Sequence, residues 1–233
     1  MTGNLSIILA ARNEAATIAD VVRRCTGHAP GLREVLVVDD GSTDGTGDLA
    51  REAGATLLRL DTHQGKGAAI RAGLRHATGN LLLFLDADGQ DDPEDIPMLI
   101  AALAPEVDMV VGSRFLGRFT AGAITPLNRA GNQFLTGVVN LLFATRLTDT
   151  QAGFRLVRRS AADRCTLNAA HYDIEVDLLL GVLRTGGQVV EVPVARHARQ
   201  HGRSGLNSFR DGTRILGRIL LRRFGPTGAA TSH

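Results

Sequence analysis

Residues 81–85 read LLLFL, five apolar side chains in a row, and the run stops abruptly at Asp86, Asp88 and Gln90. A run this short and without alternation reads as a strand buried on both faces, the pattern found in the middle of a parallel sheet. Open α/β sheets bind ligands in the crevice beyond the carboxyl ends of their strands. A D-x-D at that point is therefore placed to hold a hard divalent cation, Mg²⁺ or Mn²⁺, whose remaining oxygens come from water and a substrate diphosphate. The competing reading is a solvated acidic turn, since Asp91, Asp92 and Pro93 are helix-start residues. A turn alone does not need carboxylates at 86 and 88 directly after a buried strand.

The chain around this run repeats one unit. Residues 5–10 form a short apolar strand, followed by Arg12, Asn13 and Glu14 and a helical pattern over 15–25 with Ile18, Val21 and Val22 inward. A second strand, 35–38, ends at Asp39 and Asp40, and Ser42, Thr43 and Asp44 mark a helix start. Strand 56–60, a helix from Gly65 to His76, the run 81–85, a helix over 95–103 and a strand over 108–111 follow. Strands alternating with helices predict a parallel sheet with right-handed crossovers. Residues 115–133 read as a long basic loop or a loop with a helix start, 134–143 as an apolar helix, Ser160 as a helix start, 174–184 as a helix and 189–194 as a strand.

At 233 residues and 44% hydrophobic content, the chain can bury a real core. No apolar stretch is long enough to span a bilayer, and the opening run lacks a basic lead, so a cytoplasmic location is expected. Cys25 and Cys165 have no metal spacing, and each reads as a small apolar residue on a helix. Charge is divided: residues 1–113 carry 9 basic and 17 acidic side chains, and residues 114–233 carry 17 basic and 7 acidic. The back half is thus suited to an anion: a phosphate, an acidic membrane or nucleic acid. Nucleic acid is disfavoured because aromatics are scarce, with Tyr172 the only tyrosine and no tryptophan. Lys66 is the single lysine.

Known phosphate motifs exclude two classes. The dinucleotide fingerprint is absent after the first strand, and Gly65-Lys66-Gly67 is no Walker loop, because Ala68 and Ala69 replace Ser/Thr. Instead AARNEA, VVDDGSTDGT, HQGKGAA, FLDADGQDDP, VGSRF, LTDTQAGFR and YDIEVDLL occur in the order seen in family 2 glycosyltransferases. Over nearly the whole chain the sequence resembles the dolichyl-phosphate and polyprenyl-phosphate sugar transferases of that family. The resemblance implies a GT-A fold, a Rossmann-like nucleotide-binding sandwich with a mainly parallel sheet over 1–206, divided into a nucleotide part (1–113) and an acceptor part (114–206). It places Arg12, Glu14, Asp39 and Lys66 near the donor nucleoside, Asp86, Asp88 and Gln90 at the metal and diphosphate, and Arg199 near the diphosphate. Arg114, Arg129 and Asn132 fall near an acceptor phosphate. The implied reaction is a metal-dependent, inverting transfer of a hexose from a GDP-mannose-type or UDP-glucose-type donor to polyprenyl or dolichyl phosphate.

Two departures stand out. Arg12 replaces the tyrosine of the usual Pro-Thr-Tyr-Asn-Glu opening, which places a guanidinium where an aromatic packs on the base. In the usual G-x-S-K loop the lysine is Gly205; either Arg203 takes over its phosphate contact or that contact is gone.

A phosphate acceptor is already anionic at pH 7 and needs no strong base, whereas a hydroxyl acceptor does. Asp149 is the best candidate to orient or deprotonate an acceptor; equally, it is a partner for Arg155 that fixes a loop. Glu175 and Asp177 are alternatives. Asp88 is the other residue expected to act in catalysis. His197 and His201 among arginines do not make a metal site.

Residues 207–224 form a basic amphipathic helix, with Arg210, Arg214, Arg218 and Arg222 four apart beside Ile215, Leu216, Ile219 and Leu220. Two placements compete for it: a stripe packed on the domain, or an arginine face on an anionic membrane, peripheral at its inner side. The last residues, 225–233, read as a disordered tail. A soluble-hydroxyl glycosyltransferase, a nucleotidyltransferase and a non-catalytic nucleotide-sugar module are the remaining alternatives.

Overall fold

Seven strands of one sheet carry the site: β1 (Leu5–Ala11), β2 (Leu32–Asp40), β3 (Thr56–Leu60), β4 (Leu81–Phe84), β5 (Val107–Phe119), β6 (Arg155–Arg158) and β7 (Gln188–Arg196). They come from a computed structural model that describes residues 4–201 and 208–225. Arg203, and the expected tail apart from Gly225, lie outside the described residues. The strand order is β3-β2-β1-β4-β6-β5-β7. The first four strands are mutually parallel, and β7 is parallel to β5. β6 runs antiparallel to both β4 and β5, so the sheet is mainly rather than wholly parallel. The chain leaves β1 towards β2 on one side and returns as β4 on the other, which opens a crevice at the carboxyl end of β1.

Both faces of the central strands are apolar, and their alternation sorts the core into two layers. Ile7, Leu9, Val35, Val37 and Leu83 pack with α1 (Ile18–His28), α2 (Thr46–Glu52) and α4 (Ile96–Ala101). Ile8, Leu36, Val38, Leu82 and Phe84 pack with α3 (Lys66–His76), α6 (Arg159–Asp163) and α7 (Ile174–Arg184) on the other face. A third cluster joins Leu135 and Val139 of α5 (Pro126–Phe143), Val176 and Leu180 of α7, and Ile215 and Ile219 of α8 (Ser208–Phe224). Each such side chain contributes about 1.5–3 kcal/mol on burial.

Several expected boundaries move. β5 continues through Gly112, Ser113 and Arg114 to Phe119, so the expected division at 113/114 falls inside a strand and the two parts share one sheet. Gly117 makes that possible, because a β-carbon there would clash with the backbone of Val194 on β7. Residues 115–133, expected as a loop or a loop with a helix start, are the end of β5, a short turn and the start of α5, capped by Thr125, whose hydroxyl accepts from Asn128 N. β6 escapes sequence reading because it is RLVR, yet Arg155 is buried and gives its guanidinium to the carbonyls of Ala152 and Glu175. α2 starts at Thr46 rather than at Ser42, with Asp44 accepting from Thr46 N at 3.1 Å. The helix expected over 95–103 is a 3₁₀ turn, Pro93–Asp95, followed by α4. Cys25 lies on α1, whereas Cys165 follows the end of α6 and is not helical; both are free.

α8 forms where the arginine spacing places it, but its face is turned inward. Ile215 and Ile219 are buried, and Arg218 and Arg222 pair with Asp173 and Asp177 of the α7 region. Asp177 also accepts from Asn168 N and Ala169 N, so it is an anchor for α8 and the preceding loop.

Candidate active site

The carboxyl ends of β1, β2, β4 and β7 line one cleft of about 1100 Å³ together with the starts of α3, α5, α7 and α8. β4 ends into Asp86, Ala87, Asp88, Gly89 and Gln90. Gly89 supplies the positive φ of +72° that turns the chain, and Gln90 N donates to Asp88 Oδ1 at 3.0 Å. Asp86 and Asp88 thereby face the crevice, close to the strand end.

Three cations meet them. Lys66 Nζ, at the first position of α3, lies 2.6 Å from Asp86 Oδ1 and 2.6 Å from Glu175 Oε1. Arg196, the last residue of β7, reaches Asp91 at 2.5 Å and Asp86 at 3.5 Å. Arg199 bridges Glu14, at 3.1 Å, and Asp88. Burial pushes the Lys66 ammonium towards neutrality, but Asp86 and Glu175 more than offset it and hold its pKa above the ordinary lysine value. Burial likewise pushes the Asp86 carboxyl up, and Lys66 and Arg196 more than reverse that, leaving it well below the usual range. Asp88 goes the other way: burial first, then the charge of Asp86, push it up to about 6.

The expected site residues divide accordingly. Arg12, Glu14, Lys66, Asp86, Asp88, Gln90, Arg114, Asn132 and Arg199 all line the cleft. Asp39 does not; it is buried, accepts from Ser42 N at 2.9 Å and pairs with Arg59, while Asp40 lines the cleft and accepts from Gln64 N and Gly65 N. Asp39 holds the turn after β2, because β2 brings Asp40 rather than Asp39 to the crevice side. Gln90, expected on a metal, has both amide atoms engaged: Oε1 accepts from Arg196 and Nε2 donates to the carbonyl of His197. Arg129 lies outside the lining, its guanidinium 5.7 Å from the ring centroids of both Phe115 and Phe119. Asp149 is fully buried and is held by Arg114, not by Arg155. With no surface on the cleft and both oxygens occupied, it is not placed to take a proton from an acceptor.

Sequence reading missed the placement of Arg196 and Tyr172 at the site, and named Glu175 only as an alternative to Asp149. Arg196 carries the signal that Asp86 carries, a charge ending an apolar strand. For Glu175 the periodicity of α7 gives no such signal, since every residue from Ile174 to Val182 is buried.

No cluster of three or more His, Cys, Asp or Glu side chains among the described residues is arranged to hold a metal by itself. The pair Asp86 and Asp88 nevertheless fits a hard cation. Burial first and then the charge of Asp86 raise the Asp88 carboxyl above its ordinary value, and a divalent charge at the pair would relieve that repulsion. Such an ion would take two carboxylates from the protein and the rest of its oxygens from water and a diphosphate, a Mg²⁺-type arrangement. Arg199 would have to release Asp88.

A mainly parallel, Rossmann-like sheet with carboxylates and basic side chains at its switch point is a GT-A fold. The family model described as Glycosyl transferase family 2 matches residues 6–166, and the chain belongs to that family and is a glycosyltransferase. Glycosyltransferase AglJ of Haloferax volcanii is 33% identical over 212 residues, covering 90% of this chain and 69% of that one. Undecaprenyl-phosphate mannosyltransferase of Micrococcus luteus is 33% identical over 185 residues, covering 73% and 74%. Among solved structures, glucosyl-3-phosphoglycerate synthase from Mycobacterium tuberculosis in complex with uridine diphosphate superposes with a TM-score of 0.78. That likeness, at 22% identity over 97% of this chain and 82% of the other, is one of fold.

Proposed function

We propose that this glycosyltransferase moves a hexose from a nucleoside-diphosphate sugar to a polyprenyl or dolichyl phosphate at a membrane surface. The observation that carries this reading is the two-sided character of the cleft. Its inner end holds Lys66, Asp86, Asp88, Arg196 and Arg199, and its mouth is lined by Ile124, Leu127, Phe134, Phe209, Ile215 and Leu216 of the α5 and α8 region. An acceptor with an anionic head and a long apolar tail matches both ends, and the name of the Micrococcus relative points to the same acceptor class.

The chemistry needs little from the protein beyond positioning and charge. An acceptor phosphate oxygen attacks the anomeric carbon as the bond from that carbon to the diphosphate breaks, and the electron pair leaves on the nucleoside diphosphate, with inversion. The nucleophile is anionic, so no base is required; this accords with the burial of Asp149. Arg12, Glu14 and Asp40 receive the nucleoside, and Arg199 and Lys66 receive the diphosphate, with Arg114 and Asn132 towards the acceptor. A divalent Mg²⁺ or Mn²⁺ held by Asp86 and Asp88 supplies charge neutralisation for the departing diphosphate.

The membrane-facing surface in this reading is apolar rather than arginine-led. Leu127 and Phe134 on α5 and Phe209 on α8 are 71%, 62% and 86% exposed at the mouth of the cleft. No described helix is long and apolar enough to cross a membrane. The test is transfer of labelled hexose from GDP-mannose or UDP-glucose with Mg²⁺ or Mn²⁺ to polyprenyl phosphate in anionic vesicles. Label in the lipid phase supports the reading; label passing only to soluble hydroxyl or phosphate acceptors overturns it.

A further inference from the structure

Arg114 lies on β5 at a point where neither neighbouring strand holds it in register. The ladder with β6 ends at Val111, and the pairing with β7 slips between Ser113 and Arg118. Regular pairing therefore does not set where the Arg114 guanidinium points. Side chains do. Asp149 takes Nε, Nη2 and the backbone N–H of Arg114, which leaves Nη1 as the donor for a ligand in the cleft. Asp149 is held from behind by Glu191, a half-buried residue of β7 that does not line the cleft. Glu191 Oε1 accepts from Asp149 N at 2.9 Å, and Oε2 accepts from Thr148 N at 2.7 Å and from Thr148 Oγ1 at 2.9 Å. Since the Thr148 hydroxyl spends its proton on Glu191, the Ser113 hydroxyl, 2.6 Å away, donates to it and itself accepts from Leu116 N at 3.2 Å. Glu191 thus reaches both sides of Arg114, its neighbour Ser113 through Thr148 and its guanidinium through Asp149.

We infer that Glu191 is a positioning residue for the transfer: from outside the cleft it holds Thr148 and Asp149, and through them it aims Arg114 at the acceptor phosphate. The inference rests on the proposed reading in which Arg114 faces the acceptor, and adds the residue that sets its aim. The role needs a carboxylate. Its two oxygens only accept and can serve three donors, whereas an amide of the same shape has one accepting atom and turns N–H groups against an N–H of Thr148 or Asp149. A planar fork is also sensitive to small displacements, because it binds a phosphate through directed bonds rather than as a point charge. The donor end of the cleft does not share this support. Lys66, Arg196 and Arg199 are held by Asp86, Asp91 and Asp88, carboxylates of the segment after β4. A change at Glu191 therefore separates the two substrates.

The experiment is steady-state transfer of labelled hexose from GDP-mannose or UDP-glucose, with Mg²⁺, to polyprenyl phosphate, using the full chain, Glu191→Gln, Arg114→Lys and the double variant. Glu191→Gln is expected to raise the acceptor KM about tenfold and to leave the donor KM within about 2-fold. In the Arg114→Lys background the same change is expected to move the acceptor KM by less than about 2-fold, because the fork that Glu191 aims is gone. A purely structural Glu191 gives other patterns: both constants move together, kcat falls while neither moves, or the two single effects multiply in the double variant. Each of these overturns the inference and leaves the transfer reading intact. Wild-type protein that puts no label into the lipid overturns the reading itself, and the inference with it. If Glu191→Gln does not fold, Thr148→Val and Thr148→Ser decide. The valine breaks the hydroxyl relay from Ser113 and is expected to raise the acceptor KM about 3-fold or more, whereas the serine keeps the relay and the wild-type constant. Equal acceptor constants for those two variants overturn the inference.

Discussion

Arg114 and Asp149 form a buried, two-pronged pair: Nε lies 2.7 Å from Oδ2 and Nη2 2.8 Å from Oδ1, and the Arg114 backbone N–H also donates to Oδ2 at 3.1 Å. The pair ties β5 to the loop before β6. It fixes Arg114, which lines the cleft, and it consumes the carboxylate that the sequence offered first as a base. Asp149→Asn is therefore expected to cost stability first, about 3–5 kcal/mol, because it leaves a buried guanidinium uncompensated. Chemical denaturation checks this; a variant of wild-type stability with activity abolished would restore Asp149 to the chemistry.

Arg199 pairs with Asp88, and in the proposed reading a divalent cation would compete with it for that carboxylate. In the donor-free protein, Arg199→Ala is expected to tighten Mn²⁺ binding while raising the donor KM about tenfold or more, since the diphosphate loses a charge-assisted partner. Arg199→Lys should restore the donor KM only in part, because a point charge does not reproduce the fork. Calorimetric titration of Mn²⁺ together with steady-state kinetics reads both effects, and unchanged Mn²⁺ affinity contradicts the competition.

Asp88 is nearly buried just beyond the end of β4. Asp88→Asn and removal of metal with EDTA are each expected to abolish transfer, and added Mg²⁺ or Mn²⁺ to restore the EDTA-treated wild type only. Full turnover in EDTA would show that Asp86 and Asp88 work through their arginine and lysine partners alone.

α8 offers a contrast between packing and surface. Phe134→Ser with Phe209→Ser is expected to lower partitioning onto anionic vesicles by at least about tenfold, as each buried phenylalanine contributes about 1.5–3 kcal/mol. Ile219→Ala instead costs about 2–5 kcal/mol of stability, because Ile219 is fully buried between α5, α7 and α8. Removing α8 whole would confuse the two effects, so cosedimentation of the point variants is the measurement that separates them.

Gly67 lets α3 approach the segment before α7: its N–H donates to Ala170 O at 3.0 Å, and a β-carbon would run into the carbonyl of Ala169. Gly67→Ala is expected to cost about 1–3 kcal/mol and to weaken donor binding by shifting Lys66. A thermal shift with unaltered donor affinity would separate the packing role from the site.

The sequence by itself determined the alternation of strands and helices, the end of β4 at a D-x-D, and the bounds of α7 and α8. Each depends on the period of apolar residues over a few turns or on a local breaker, and those act within one element. Only the tertiary structure decided the rest. Asp149 chose Arg114, 35 residues away, over Arg155, six away, because β5 passes beside it and β6 turns Arg155 to carbonyls. The arginines of α8 read as a solvated or membrane-facing row, yet Arg218 and Arg222 face the domain because α7 presents Asp173 and Asp177 to them. Glu175 was one of three candidate carboxylates until α3, on the same face of the sheet as α7, brought Lys66 to it. Which charges pair is a matter of distance in space, and energies that fall off over a few ångströms are not written in the spacing along a chain.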